Sequence, residues 1–317
     1  MNEEVEAIRN GAAVVRRDDL YTLRIAGPDR ERFLNGMITS DVSKLATGRM
    51  QRAIKPNNRG RVEGMLRVRA EDDAYLIDVL ETSAQRVATE LNKLIIMDDV
   101  TLSDATDTRE VIAVYGPSER KLISEAGWAV PALEDLSYAD VGDVRVMRDD
   151  GVIGVEGYEI LALPRKGDDA VKALIVAGAI EVDEDSLDIV RVESGVARDG
   201  VDVDDDTIPL EANLVDWISF TKGCYVGQEV IARAHNLGGV KHRLVGLRVE
   251  GDTVPPKDAK IVVGEEDTGE VTSAVRSDAH GVIALGYVHT KNEAEGTEVQ
   301  LVWGDAKAKA AVTKLPF

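Results

Sequence analysis

Residues 222–229 read Lys222-Gly223-Cys224-Tyr225-Val226-Gly227-Gln228-Glu229, and they hold the only cysteine of the chain. Two glycines within five residues favour a backbone that turns sharply or approaches another segment closely. A thiol beside a lysine has two interpretations. Its thiolate could be stabilised by the cation and be accessible to a partner, or the cysteine could pack as a small apolar group within an interdomain turn.

The pattern of the sequence changes just after this stretch. From Arg243 to Phe317, short apolar segments alternate with glycines and prolines, which predicts a small β-barrel. Upstream, the order strand, Gly-Pro, helix occurs near residue 27 and again near residue 116. The sequence therefore predicts two α+β units before a barrel, with a boundary near residues 236–242.

Periodicity predicts the individual elements of the two α+β units. Strands are predicted at 12–27, within 50–80, and at 111–115, 144–148, 151–155 and 158–163, and helices at 82–96, 168–177 and 186–198. Residues 199–216 are acidic and show no periodic pattern.

Composition restricts the classes of function. The 317 residues carry a formal net charge of −20, which disfavours binding to nucleic acid or to anionic membranes and is typical of a halophilic protein. One cysteine excludes an intrachain disulfide, and the four histidines show no metal-ligand spacing. No apolar run is long enough to span a membrane, and the acidic N-terminus does not resemble a signal peptide. We expect a cytoplasmic protein without a metal site.

Three further stretches each have a structural and a functional interpretation. Residues 151–160 contain spaced glycines, which fit β-turns, but Glu159 could also project from a strand to hold an NH-rich heterocycle. Arg191 could pair with Asp188 or Glu193, or could clamp an anion or a ring. The basic turn 57–61 is either a solvated loop or a contact for a negatively charged ligand tail.

These stretches, in this order, resemble the folate-binding superfamily of the glycine-cleavage T-protein, and the 222–229 octapeptide resembles the signature of its YgfZ branch. The resemblance also includes Gly27-Pro28-Asp29, Tyr115-Gly116-Pro117 and the segments 157–160 and 191–195. It implies an α+β fold with three domains in a cloverleaf: residues 1–105, completed by about 186–240, then 106–185, then a barrel over 241–317.

The resemblance also implies a site. Glu159 and Arg191 match the T-protein residues that bind tetrahydrofolate, and Tyr158 and Glu63 lie in matching segments. Cys224 would be a reactive or partner-contacting thiol with Lys222 tuning it, in a motif completed by Gly223, Tyr225, Gly227, Gln228 and Glu229.

The sequence departs once from the T-protein pattern and once from the YgfZ pattern. T-proteins carry an acidic pair, one member of which is needed for aminomethyl transfer; it is absent from residues 60–64, where Glu63 is a partial substitute. Tryptophans that line folate in some YgfZ proteins are replaced by Leu20 and Leu187. The resemblance therefore implies a protein that binds tetrahydrofolate or a derivative and supports iron–sulfur cluster assembly or repair, with iron–sulfur client or assembly proteins as partners. The alternatives are an aminomethyltransferase of glycine cleavage and a demethylase- or oxidoreductase-associated domain of the same fold.

Overall fold

The structure, a computed structural model, describes residues 2–237 and 239–317. Its helices are α1 (Glu3–Asn10), α2 (Arg30–Met37), α3 (Glu81–Leu94), α4 (Glu119–Glu125), α5 (Gly167–Val176), α6 (Glu184–Glu193) and α7 (Gln228–Leu237). Within the described ranges, none of these helices has the length and apolar character needed to cross a membrane.

Two sheets form the larger part of the molecule. The strands before residue 182 are β1 (Ala13–Arg16), β2 (Leu20–Ala26), β3 (Met50–Pro56), β4 (Val62–Ala70), β5 (Ala74–Leu80), β6 (Thr101–Asp104), β7 (Glu110–Tyr115), β8 (Ser137–Val141), β9 (Val144–Arg148), β10 (Gly157–Ala162) and β11 (Ile180–Glu181). One sheet has the order β3-β4-β5-β2-β6, and the other has the order β11-β1-β7-β10-β9-β8. Strand β1, from the first 105 residues, therefore pairs with strands from the next segment of the chain.

The C-terminal segment forms a closed barrel. Its strands are β12 (His242–Val249), β13 (Lys260–Val263), β14 (Glu266–Ser277), β15 (Gly281–His289), β16 (Glu298–Trp303) and β17 (Ala306–Thr313), in the order β12-β15-β14-β13-β16-β17. Inward-facing apolar residues such as Leu247, Ile261 and Leu301 are fully buried and form its core. The predicted barrel is confirmed, and closure leaves it no open edge strand.

The two predicted Gly-Pro turns have the same structural role. Gly27 follows β2 and precedes α2, and Gly116 follows β7 and precedes α4. Both glycines adopt left-handed backbone angles, with φ of 113° and 111°. A Cβ at Gly27 would lie 2.2 Å from the Asp99 carbonyl oxygen, and one at Gly116 would lie 2.7 Å from that of Gly11. Only glycine fits these two tight strand-to-helix connections.

Several predicted elements differ from the structure. The strand predicted at 151–155 is wrong: these residues form turns, because Gly154 has a φ of 79° and lies against Ser194 at the end of α6. The single strand predicted at 12–27 divides into β1 and β2, which enter different sheets. Elements α1, α7, β6, β8 and β11 are present in the structure but are not predicted from the sequence.

Candidate functional site

A central cavity lies between the two sheets and is closed on one side by α6. Residues of seven strands line it, β1, β2, β3, β4, β5, β7 and β10, together with the turns 149–153 and 196–199. Helix α6 presents Glu184, Leu187, Asp188 and Arg191 to the cavity, because residues three, four and seven apart share one helix face. Both predicted folate residues, Glu159 and Arg191, line it, as do Leu20 and Leu187.

A buried network of arginines and carboxylates forms the wall of the cavity. Arg67 on β4 bonds to Asp78 at 3.0 Å, to Asp149 at 3.3 Å and to Glu159 at 2.5 Å. Arg69 adds a second cation on Asp78, at 2.8 Å. Burial favours the neutral form of Asp78, but Arg69 and Arg67 outweigh it and hold the pKa of that carboxyl below its ordinary value.

Glu159 has one oxygen engaged and one available. Alternation along β10 turns Glu159 away from the core that Tyr158 and Ile160 enter. Its Oε2 accepts from Arg67, and its buried Oε1 lies 3.6 Å from Arg17 Nη1 and forms no hydrogen bond with the described residues. A buried acceptor without a donor is rare in folded proteins, so Oε1 is a candidate ligand contact.

Asp199 is the second such carboxyl and was missed by the sequence analysis. It lines the cavity, is 2% exposed, and its Oδ2 accepts from the Met65 N–H at 2.9 Å. Its Oδ1 is buried and has no hydrogen-bond partner among residues 2–237 and 239–317. Burial raises the pKa of this carboxyl above its ordinary value despite opposing contributions from Met65, Ser83, Arg86 and Gly200. No periodic signal marks residue 199, because it lies in an irregular segment after α6.

Four hydrogen bonds hold the Arg191 guanidinium, so it is less available to bind an anion than a free arginine would be. Its Nε donates to Asp188 at 2.7 Å, and its Nη1 donates to Asp202 and to the Val196 carbonyl, both at 2.6 Å. Its Nη2 donates to Ser273 of the barrel at 2.8 Å. These bonds use four of the five guanidinium N–H groups, so Arg191 ties α6 to the barrel and retains one donor.

Two other predicted ligand residues lie elsewhere. Tyr158 is 2% exposed and packs in the core on the opposite face of β10 from Glu159. Glu63 forms an ion pair with Lys55 at 2.7 Å. Neither residue is among those that line the cavity. The basic turn 57–61 does not line it either, and its Arg61 pairs with Asp206.

Lys222 connects the 222–229 stretch to the C-terminal end of α2 and the residues that follow it. Its ammonium donates to the carbonyl oxygens of Asn35, Ile38 and Ser40 at 2.6, 2.8 and 2.7 Å. Burial lowers the pKa of Lys222 to about 8, and Asp41 opposes the shift. Because all three N–H groups are engaged, the ammonium has no donor left for a thiolate. The prediction that Lys222 tunes Cys224 therefore has no support in this geometry.

The remainder of the stretch forms an interdomain corner. Gly227, with a φ of 78°, packs against the turn 57–61 so closely that a Cβ would lie 2.3 Å from the Asn57 carbonyl oxygen. Tyr225 is buried, and Gln228 and Glu229 begin α7. Cys224 is exposed and does not line the cavity. One of the two interpretations of this stretch placed Cys224 as a small apolar group inside an interdomain turn. The turn is present, but Cys224 lies at the surface.

Comparison with known proteins covers almost the whole chain. Residues 1–222 match the model of the GCVT N-terminal domain, and residues 242–317 match that of the glycine cleavage T-protein C-terminal barrel domain. An aminomethyltransferase from Nostoc sp. is 27% identical, with 100% of this chain and 87% of that protein covered. One from Rubrobacter xylanophilus is 28% identical, with 99% and 85% covered.

Solved structures show the same fold. The crystal structure of the glycine cleavage system aminomethyltransferase T from Bartonella henselae superposes with a TM-score of 0.89, at 23% identity, over 99% of this chain and 88% of that one. Strand order, barrel and domain matches therefore agree, and the chain belongs to the glycine-cleavage T-protein family.

Proposed function

We propose that the central cavity binds a reduced folate, tetrahydrofolate or a derivative of it. The observation that carries the proposal is the buried, unpartnered carboxyl oxygen Oε1 of Glu159 on the cavity wall. A pterin ring presents an amino group and ring N–H groups, which are the donors that such an acceptor needs. The residues of the cavity therefore fit this cofactor.

The rest of the ligand would use the apolar walls and the mouth of the cavity. Leu20 and Leu187 supply apolar surface for a ring, and Arg16 and Arg198, whose side chains are each 30% exposed, supply cations for a carboxylate tail. These two arginines are the most exposed cations along the cavity, and the basic turn 57–61 does not line it. Its buried wall also excludes water from a bound ring.

We propose aminomethyl transfer as the activity, because relatives that cover the chain end to end carry that name. A bound tetrahydrofolate would supply the acceptor for the one-carbon unit. The chain would bind and orient it through Glu159, whose Oε1 would accept a hydrogen bond from a ring N–H. Ammonia release from an aminomethyl-lipoyl carrier protein, measured with and without tetrahydrofolate, tests this activity, and absence of turnover with a proven carrier would contradict it.

The binding step has its own test. Replacing Glu159 by Gln keeps an acceptor for Arg67 and removes the charge that a ligand N–H meets, so we expect affinity for 5-formyltetrahydrofolate to fall roughly 10- to 100-fold in calorimetric titration. Glu125→Gln removes the same charge from α4, outside the cavity, where the side chain is 53% exposed, and should leave affinity unchanged. Equal affinities of Glu159→Gln and the wild type would contradict the site.

A second candidate function is support of iron–sulfur cluster assembly or repair. It is favoured by the exposed Cys224, which lies outside the cavity in the stretch that resembles the YgfZ signature. A gene deletion complemented by Cys224→Ser would test it through the activity of iron–sulfur enzymes. Full recovery of those activities would exclude a role for the thiol, and undiminished activities in the deletion strain would exclude the function.

A further inference from the structure

Asp199 differs from every other aspartate that lines the cavity in having no ion pair. Asp19, Asp78, Asp149 and Asp188 each lie within 4 Å of an arginine nitrogen. For Asp199, no salt bridge is found among the described residues; the cation whose charge reaches it, Arg86, donates to the Glu63 carbonyl and to Ser83. The carboxyl is therefore buried without a bonded counter-ion.

The strand β4 brings this carboxyl close to the Glu159 subsite. The pairing of β4 with β5 begins at Leu66, so Met65 lies just outside the paired residues and its N–H donates to Asp199. Arg67, which holds Glu159, is two residues further along the same strand, a separation of about 7 Å. The two unpartnered oxygens thus belong to residues that line one cavity and are held by neighbouring residues of one strand.

We propose that Asp199 is a second ligand-contacting carboxyl, which gives up its proton when a reduced folate binds and then accepts a hydrogen bond from a ring N–H. This inference rests on the proposed folate binding and adds a residue and a proton to it. In the ligand-free protein, burial keeps the proton on the carboxyl more readily than on its paired neighbours. A ligand N–H at Oδ1 stabilises the ionised form and so releases the proton.

If Asp199 releases a proton when the ligand binds, the affinity depends on pH, which a purely structural role for Asp199 would not produce. Below the pKa that Asp199 has in the free protein, affinity should rise up to about tenfold per pH unit, because one proton leaves on binding. Calorimetry with 5-formyltetrahydrofolate, from about pH 5 to about pH 8 and in two buffers of different ionisation enthalpy, measures the slope and the released protons in the wild type without any variant.

The variant Asp199→Asn tests whether the proton released on binding comes from Asp199. Its amide oxygen can still accept from the Met65 N–H, so the loop keeps its anchor, but it cannot ionise. We expect weaker binding above the wild-type pKa and a slope reduced by about one proton, while Glu125→Gln, outside the cavity, keeps the wild-type slope. Ionisations of the ligand itself are common to all three proteins and cancel in the comparison.

Each outcome decides a separate statement. Wild-type binding with proton release that Asp199→Asn abolishes supports the inference. Wild-type binding with no proton release, or with a slope that Asp199→Asn retains, overturns the role of Asp199 and leaves folate binding standing. If the wild type fails to bind 5-formyltetrahydrofolate at every pH, both the inference and the proposed function are overturned.

Discussion

Asp78 and Asp199 are both buried beside the same cavity, yet their carboxyls respond to burial in opposite ways. Two arginines bond to Asp78 and hold its pKa below the ordinary value, whereas burial prevails at Asp199 and raises its pKa. The difference is the counter-ion, since both side chains are at most 5% exposed. A raised pKa without a cation costs stability, and such costs are found at functional sites.

Replacing each carboxyl by an amide should therefore change stability in opposite directions: Asp199→Asn should raise the melting temperature at neutral pH, and Asp78→Asn should lower it. The folded protein binds the Asp199 proton more tightly than the unfolded chain does, so its free energy of unfolding falls as pH rises from the ordinary aspartate pKa through the raised one. Asp199→Asn removes this decline, and we expect a higher melting temperature at neutral pH in calorimetry.

Asp78→Asn is the matched comparison. It leaves Arg67 and Arg69 short of a buried counter-ion and should cost about 3–5 kcal/mol. A lower neutral-pH melting temperature for Asp199→Asn than for the wild type would contradict our account of that carboxyl.

Single residues were only partly predictable from the sequence. Glu159 was placed on a strand facing a ligand, and the structure puts it on the cavity wall, while Tyr158, its neighbour, faces the core because side chains alternate along a strand. Asp199 could not be found, since its position depends on a loop that meets β4 across 134 residues of sequence.

At the scale of elements, the 222–229 stretch connects the start of α7 to α2 and to the turn between β3 and β4. Lys222 bonds to three carbonyls in the last turn of α2 and just after it, Val226 N–H donates to the Gly36 carbonyl, and Gly227 packs against the turn between β3 and β4. The sequence predicted a sharp turn or a close approach, but only the structure shows which segments meet. Gly227 makes a close backbone contact, whereas a Cβ at Gly223 would meet no atom within 4 Å.

The two glycines of this stretch form a matched pair for substitution. At Gly227, alanine would need a left-handed φ and would clash with the Asn57 carbonyl, so Gly227→Ala should cost about 2–4 kcal/mol. At Gly223 a Cβ meets nothing within 4 Å, and Gly223→Ala should stay within about 0.5 kcal/mol. Urea unfolding measures both; similar losses at the two positions would contradict the close approach.

The lysine anchor has its own prediction. Lys222→Met leaves three carbonyls without their donor, and we expect a loss of roughly 3 kcal/mol in the free energy of unfolding. Lys44→Met is the control, because that side chain is 75% exposed and its pair with Asp41 contributes little. If both substitutions changed the urea midpoint equally, the anchor would not be the main role of Lys222.

At the scale of the whole molecule, the net charge of −20 opposes the compact state. The wall of the cavity is balanced by its own arginines, so the excess negative charge acts mainly through the surface. Between about 0.1 M and 1 M salt the screening length falls from about 10 Å to about 3 Å. We therefore expect the melting temperature to rise with KCl over this range, and a melting temperature that stays constant would contradict a dominant self-repulsion.

The fold was more predictable than the site. Barrel, Gly-Pro turns and most strands follow from local apolar patterns and turn residues, which act over a few positions. The 151–155 error shows the limit of such patterns: Val152, Ile153 and Val155 favour a strand, but Gly154 and the packing against Ser194 impose turns. The cavity depends on contacts between segments far apart in sequence, which periodicity does not report.

The position of β1 between β7 and β11 has a consequence for how the protein is made. Synthesis proceeds from the N-terminus, so Ala13–Arg16 leaves the ribosome about a hundred residues before its antiparallel neighbour and well before its parallel one. The carbonyls of residues 35–40 must likewise wait for Lys222. All strands of the five-stranded sheet are present once Asp104 has been made, whereas the six-stranded sheet must wait for β11 and the end of α2 must wait for Lys222.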